Sequence, residues 1–80
     1  MQIRFMNYKD YIESNCDVLL GKPVVKGTRI TVALVLTRLS EGATVDEIIL
    51  AYPNLTQIEI QAVLAYAADV ASNETLIAAA

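Results

Sequence analysis

A pair of predicted helices joined by a short turn constrains this chain of 80 residues more than any other feature. Thr44 and Glu47 have the spacing of a capping box, in which each side chain accepts a hydrogen bond from the other residue's backbone N–H. Thr56 and Glu59 repeat that spacing. Between the two boxes, Pro53 ends the first helix because it cannot continue the hydrogen-bond ladder and disfavours helical backbone at the residue before it. Two capped helices across such a turn predict a helix-turn-helix.

Three amphipathic helices are predicted after residue 30. The first covers residues 32–41, with Thr31 as its N-cap and Gly42 just past its end. The second covers residues 45–51, and the third covers residues 57–71. Apolar residues recur at helical spacing in each helix: Val32, Val35, Leu36 and Leu39, then Val45, Ile48, Ile49 and Tyr52, then Ile60, Val63, Leu64, Ala67 and Ala71. The short connections between these helices predict a three-helix bundle.

The N-terminal part of the chain predicts a short β ribbon. Ile3 and Phe5 alternate with polar residues, and Val24-Val25 is a β-branched pair between two glycines. We expect Val24-Val25 to pair with residues 11–12, while Gly27 takes a backbone conformation that is costly for other residues. The predicted fold is therefore mostly α, a three-helix bundle containing a helix-turn-helix and preceded by a short N-terminal β ribbon. One domain would hold a ribbon at residues 1–30, a helical core at 31–71 and a tail at 72–80.

Composition predicts that the protein does not remain a monomer. Hydrophobic residues make up 55% of the chain, and its mean hydropathy is +0.44. A chain of this length buries only about 60–65% of the surface of its unfolded state, so much of that apolar content stays exposed in a monomer. We expect a homodimer or higher oligomer, or a permanent partner.

Charge is divided between the two halves of the chain. The formal net charge is −3, yet all six basic residues lie within the first 38 positions. Lys22, Lys26, Arg29 and Arg38 are candidate nucleic-acid contacts, since clustered cations engage phosphates. The alternative is that Arg29 pairs with an acidic helix residue while the lysines are only solvated.

The third predicted helix stands where a helix-turn-helix places its recognition helix. Gln57 and Gln61 in its first turns are candidate contacts to adenine edges. Glu59 lies between them and would repel phosphate if it were exposed. Affinity for DNA would therefore come from the basic first half of the chain, and a helix-turn-helix used only for packing is an equal alternative.

The opposite face of the third helix combines small and apolar residues. Ile58, Ala62 and Ala65 are placed there, and Leu76 and Ile77 add an apolar tail. Small residues permit the close approach of another helix or strand, so these five residues are candidate contacts for a partner or a second copy. The alternative is a lightly polar face exposed to solvent.

The residue types that catalysis and metal binding most often need are scarce. The chain has no histidine and a single cysteine, Cys16, which excludes a Cys–His nucleophile, a zinc site and an intrachain disulfide. Residues 21–29 do not form a P-loop, because Lys22 precedes the second glycine instead of following it. We predict no catalytic residue, no metal and no cofactor. Without an apolar run of about 20 residues or a secretory h-region, we expect a cytoplasmic protein that does not enter a membrane.

Two sequence blocks resemble a known family. Residues 21–29, Gly-Lys-Pro-Val-Val-Lys-Gly-Thr-Arg, and residues 52–56, Tyr-Pro-Asn-Leu-Thr, are similar to blocks of the domain-of-unknown-function 433 family. The similarity runs from about Tyr11 to Ala71. It implies a helix-turn-helix fold behind a β ribbon and a prokaryotic, VapB-like antitoxin role. By the same resemblance, the partner would be a PIN-like ribonuclease toxin, and a dimer would repress its own operon by binding operator DNA.

The expected function is therefore that of a non-enzymatic antitoxin of a type II toxin–antitoxin pair. The acidic second half of the chain would suit a partner with a basic surface. A stand-alone helix-turn-helix DNA-binding regulator and a homo-oligomeric interaction module are the alternatives.

Overall fold

The computed structural model describes residues 7–14 and 21–72, where three helices follow a two-stranded antiparallel hairpin. The elements are a 3-10 turn at Tyr8–Asp10, β1 at Ile12–Glu13, β2 at Val24–Val25, α1 at Val32–Ser40, α2 at Val45–Ala51 and α3 at Gln57–Ser72. The predicted fold class is confirmed. The predicted strand at Ile3 and Phe5 lies outside the described residues, as do Cys16, Leu76 and Ile77.

Strand β2 is the centre of the ribbon, because hydrogen bonds join it to the chain on both sides. Ile12 pairs with Val25, so β1 lies one residue later than the expected 11–12. On its other side, the Val25 N–H donates to the Ile30 carbonyl oxygen at 2.9 Å. Val24 and Val25 are both 0% exposed, and Ile12 joins Val25 in the core. Ile12 and Val25 lie opposite each other on the same face of the ribbon, and the burial of this cross-strand pair accounts for the register.

A tight turn leads from β2 to the segment before α1. The Thr28 hydroxyl donates to the Val25 carbonyl oxygen at 2.8 Å and accepts from the Ile30 N–H at 3.0 Å. Gly27 has a φ of +82°, in the left-handed region that strains residues with a Cβ. We call residues 26–30 the ribbon turn.

Capping boxes begin both α2 and α3. The Thr44 hydroxyl accepts from the Glu47 N–H at 3.1 Å, and the Glu47 carboxylate accepts from the Thr44 N–H at 2.8 Å. Thr56 and Glu59 make the same pair of bonds at 3.3 and 2.9 Å. Gly42, with a φ of +98°, follows the end of α1. Both predicted boxes are confirmed, and every helix limit falls within one residue of its prediction.

The core lies where α3 meets both the other helices and the N-terminal part of the chain. Its buried members are Ile12, Val25, Val32, Val35, Ile48, Leu55, Ile60, Ala62 and Val63. Helix α3 contacts α1 and α2, as a three-helix bundle requires, and it also contacts β1 and the 3-10 turn. Two different sides of α3 are therefore covered.

The orientation of α3 about its axis differs from the prediction. Ala62 is 0% exposed and Leu64 is 45% exposed, so the prediction that placed Leu64 inside and Ala62 outside was wrong. The physical reason is that the 3-10 turn and β1 pack against a side of α3 that the sequence pattern left free. A small side chain at Ala62 leaves room for that close packing. The chain's own N-terminal part therefore occupies part of the space predicted for a partner, on the side of α3 that holds Ala62, whereas Ile58 stays exposed.

Candidate functional site

Helix α2 presents a large apolar side chain to solvent. Leu50 is 81% exposed, more than any other large hydrophobic residue in the described part of the chain. Asp46 and Glu47 are exposed and precede it by four and three residues, which places them on the same face of the helix. Ala51 is also exposed. We call Asp46, Glu47, Leu50 and Ala51 the α2 surface, an apolar centre with an acidic margin.

The predicted partner contacts on α3 are separated by the structure. Ile58 is 45% exposed, whereas Ala62 is 0% exposed and unavailable to a partner of this fold. Ala65 is half-buried. Leu76 and Ile77 lie outside the described residues. Among the described members of the five, Ile58 is the most exposed and Ala65 is accessible only in part.

The basic candidates lie in three places. Lys26 and Arg29 are exposed within the ribbon turn, and Lys22 is exposed just before β2. Arg38 lies in the last turn of α1, where its guanidinium donates to the Glu41 carboxylate at 3.1 Å. This pair is the only ion pair among the described residues. Arg29 therefore has no acidic partner there, contrary to the alternative in which an acidic helix residue holds it.

Arg38 is engaged within the fold. Hydrogen bonds to the Tyr52 phenol and to the Glu41 carboxylate raise the pKa of its guanidinium above the ordinary arginine value. Its side chain is 47% exposed, so a phosphate can still reach it, but only in competition with Glu41. Arg38 is therefore less available to an external anion than Lys26 or Arg29, which form no ion pair within the described residues.

The exposed face of α3 resembles a recognition helix in position but not in charge. Gln57 and Gln61 are exposed and one turn apart. Glu59 is half-buried, and its carboxylate accepts from the Thr56 N–H at 2.9 Å. That capping bond places a negative charge at the end of α3 that would face DNA. Phosphate is repelled there, so α3 by itself is a poor major-groove reader.

An N-terminal contact that the sequence did not predict holds the 3-10 turn on α3. Tyr8 packs edge-to-face on Tyr66, with ring centroids 5.5 Å apart, and its hydroxyl donates to the Asp69 carboxylate. This hydrogen bond, followed by partial burial, raises the pKa of the Tyr8 phenol above its ordinary value. Ala65 and Ala68 line a cavity of about 410 Å³ beside the contact. No local pattern signals a contact between residues 61 positions apart.

A second, shallower groove lies between the ribbon turn and the end of α2. It has a volume of about 630 Å³, and its lining residues are Glu13, Gly27, Thr28, Arg29, Ile30, Tyr52 and Asn54. We call it the ribbon–helix groove. Most of its lining comes from the two sequence blocks at 21–29 and 52–56, which are far apart in the chain and meet only in the fold, and Glu13 and Ile30 complete it.

Comparison with known families decides where this chain belongs. A model of the family described as "Protein of unknown function (DUF433)" matches residues 12–67, from β1 into α3. The chain belongs to this family. The match in this DUF433 chain includes both walls of the ribbon–helix groove and the whole α2 surface. Comparison with curated proteins and with solved structures found no match.

The described part of this DUF433 protein has three distinct surface features. In residues 7–14 and 21–72, no three His, Cys, Asp or Glu side chains are grouped to hold a metal ion. Within the same ranges, no helix has the length and apolar character needed to cross a membrane. What the geometry does supply is the α2 surface, the basic ribbon turn and the ribbon–helix groove.

Proposed function

We propose that this DUF433 protein is a cytoplasmic, prokaryotic antitoxin without enzymatic activity, which binds and silences a PIN-like nuclease. The observation that carries the proposal is the α2 surface, where Leu50 is 81% exposed among acidic side chains. Protein interfaces place apolar anchors at their centres and polar groups at their margins. The family resemblance supplies the kind of partner, and the α2 surface supplies the place where it would bind.

Charge supports a partner with a basic surface. Residues 39–72 contain no lysine or arginine, and their acidic members are Glu41, Asp46, Glu47, Glu59 and Asp69. A nuclease that handles RNA needs positive charge where the phosphates lie. An acidic surface is attracted to that region by charge complementarity, and by covering it would exclude RNA.

The first experiment is co-expression with the product of the adjacent reading frame. We expect a small nuclease to copurify with this protein and to lose its ribonuclease activity in the complex. An adjacent product that does not bind, or that cleaves RNA equally well when bound, would overturn the antitoxin role.

Variants on two exposed apolar side chains locate the contact. We expect Leu50→Ser to weaken binding of the nuclease by about thirtyfold, as for an interface anchor worth ~2 kcal/mol. Ile58→Ser is the matched control, because Ile58 is 45% exposed at the start of α3 and lies outside the α2 surface. Circular dichroism of both variants checks the fold. Equal affinities for the two variants would place the contact elsewhere.

We propose further that the protein forms a homodimer through the exposed apolar residues of α3 from the middle of the helix to its C-terminal end. Leu64 is 45% exposed and Val70 is 41% exposed. Between Ala62 and Ala71 the only charged residue is Asp69, and its carboxylate accepts from the Tyr8 hydroxyl. A helix that is apolar on so much of its circumference is usually covered. Sedimentation should show a dimer that Leu64→Ser weakens and Leu50→Ser does not, whereas a wild-type monomer at micromolar concentration would contradict the proposal.

A stand-alone DNA-binding regulator is the second candidate, and it is favoured by Lys26 and Arg29 in the ribbon turn. Both are exposed, and neither takes part in an ion pair within the described residues. If they contact phosphates, Lys26→Ala and Arg29→Ala should each lower the slope of log K against log salt by about one unit for promoter DNA. Lys9→Ala is the control, since Lys9 is exposed in the 3-10 turn. Slopes that match this control would remove the ribbon turn from DNA binding.

A further inference from the structure

The ribbon–helix groove presents polar groups that the fold does not use. Glu13 and Arg29 face the same groove, yet neither belongs to the one ion pair of the described residues. Among those residues, the backbone N–H groups of Gly27 and Arg29 and the side-chain amide of Asn54 have no hydrogen-bond partner. The groove volume of about 630 Å³ falls within the range of small-ligand sites.

The balance of charge in the groove selects a class of ligand. A simple anion would be attracted by Arg29 and repelled by Glu13. A simple cation would be attracted by Glu13 and repelled by Arg29. A neutral ligand with both donors and acceptors satisfies the two groups together. The carbonyl oxygens of a peptide main chain accept from Arg29, its N–H groups donate to Glu13, and an amide group can make both kinds of bond with Asn54.

The remaining lining completes a site for a short peptide. Ile30 and the half-buried ring of Tyr52 supply an apolar surface for one side chain of the ligand. A Cβ built at Gly27 meets nothing within 4 Å, which leaves the approach of a main chain to the ribbon turn open.

We propose that the ribbon–helix groove binds an extended peptide segment of a partner protein through its main chain. Arg29 and the free N–H groups of the ribbon turn donate to carbonyl oxygens of the segment, while Glu13 accepts from its N–H groups. This site is separate from the α2 surface and does not require the partner to be a nuclease.

The test is a titration of the ¹⁵N-labelled full chain with the capped peptide acetyl-Ala-Leu-Ala-amide, followed by NMR. We expect the amide signals of Gly27, Arg29 and Asn54 to shift, with a dissociation constant on the order of 1 mM. Inorganic phosphate and guanidinium chloride are titrated in parallel. Absence of shifts with the peptide, or tighter binding of phosphate at the same amides, would overturn the proposal.

Two glycine variants provide a matched pair. Asparagine adopts the left-handed conformation more readily than most residues with a Cβ, so Gly27→Asn adds a side chain beside the groove with less strain than most other substitutions at a φ of +82°. Gly42→Asn adds one at a φ of +98° away from the groove lining. We expect Gly27→Asn to weaken peptide binding by about tenfold and Gly42→Asn to leave it unchanged.

A second variant keeps the proposal testable if Gly27→Asn does not fold. Arg29→Gln removes an exposed charge that has no ion-pair partner among the described residues. It should weaken binding of the peptide by a similar factor. Wild-type affinity in Arg29→Gln would contradict the assigned role. Leu50→Ser should bind the peptide normally, so failure of the antitoxin role and failure of the peptide site give different results.

Discussion

Changing the sizes of the side chains at positions 62 and 64 of α3 tests the main difference between the predicted and the observed burial of this helix. Ala62 is 0% exposed and lies in the core, while Leu64 is 45% exposed. Ala62→Leu inserts three carbon atoms where no free surface exists. Leu64→Ala removes atoms of which nearly half already face solvent.

The structure sets the expected size of each effect. Overpacking a closed core site costs about 1–3 kcal/mol of unfolding free energy. Burying a whole leucine side chain is worth about 1.5–3 kcal/mol, so losing the buried half of Leu64 costs about 1 kcal/mol. If Leu64 were the core residue, its replacement would cost about 2–5 kcal/mol. If Leu64 were in the core and Ala62 on the surface, Ala62→Leu would change the free energy of unfolding by no more than about 0.5 kcal/mol.

Thermal unfolding separates the two arrangements. In a domain of this size, a loss of 1 kcal/mol in the free energy of unfolding lowers Tm by roughly 4–8 °C. We expect Ala62→Leu, at ~2 kcal/mol, to lower Tm about twice as much as Leu64→Ala. Each protein is measured at two concentrations, because loss of a dimer at Leu64 would make its Tm depend on concentration. If Leu64→Ala lowers Tm more than Ala62→Leu does at the lower protein concentration, the orientation of α3 described here is refuted.

Three further predictions concern single contacts. Thr44→Ala removes the N-cap of α2 and should cost about 1 kcal/mol in urea unfolding, whereas an effect no larger than that of the exposed Thr37→Ala would show that the cap contributes nothing. The raised pKa of Tyr8 means that the folded chain retains this proton more strongly than the unfolded chain, so the stabilisation is complete below the ordinary tyrosine value of 10.0 and is lost as the pH rises above it. The unfolding midpoint of the wild type should therefore fall more steeply above that pH than that of Tyr8→Phe, and parallel curves would contradict the hydrogen bond to Asp69. Glu41→Gln breaks an ion pair whose side chains are 47% and 58% exposed, so it should change stability by less than about 1 kcal/mol, and a larger loss by urea unfolding would show that the pair is more than a surface contact.

Helix limits are the part of this fold that can be predicted from sequence most directly. The signals that set them act within one turn of the chain. Thr44 bonds to Glu47 three residues away, and the same spacing begins α3. Gly42 ends α1 through its own backbone conformation. Such signals involve neighbours in sequence, so they can be recognised without knowledge of the tertiary structure.

The candidate surfaces could be predicted only in part. The exposed lysine and arginine of the ribbon turn follow from composition, since unpaired cations rarely enter a core. The sequence pattern does not single out Leu50 as a contact, although Leu50 falls outside the predicted apolar stripe of α2. Its exposure of 81% becomes informative only when the neighbouring residues and the packing of α2 are known.

The sequence by itself determined the order, type and limits of the helices, because capping, turn formation and helical periodicity are local. Only the tertiary structure decided which side of α3 is buried, since that depends on the 3-10 turn packing against it through Tyr8, 61 positions from Asp69. It also decided that Gly27 and Asn54 line the same groove. Contacts between distant residues depend on how whole elements pack together, and the sequence pattern of a single segment does not predict which other segments pack against it.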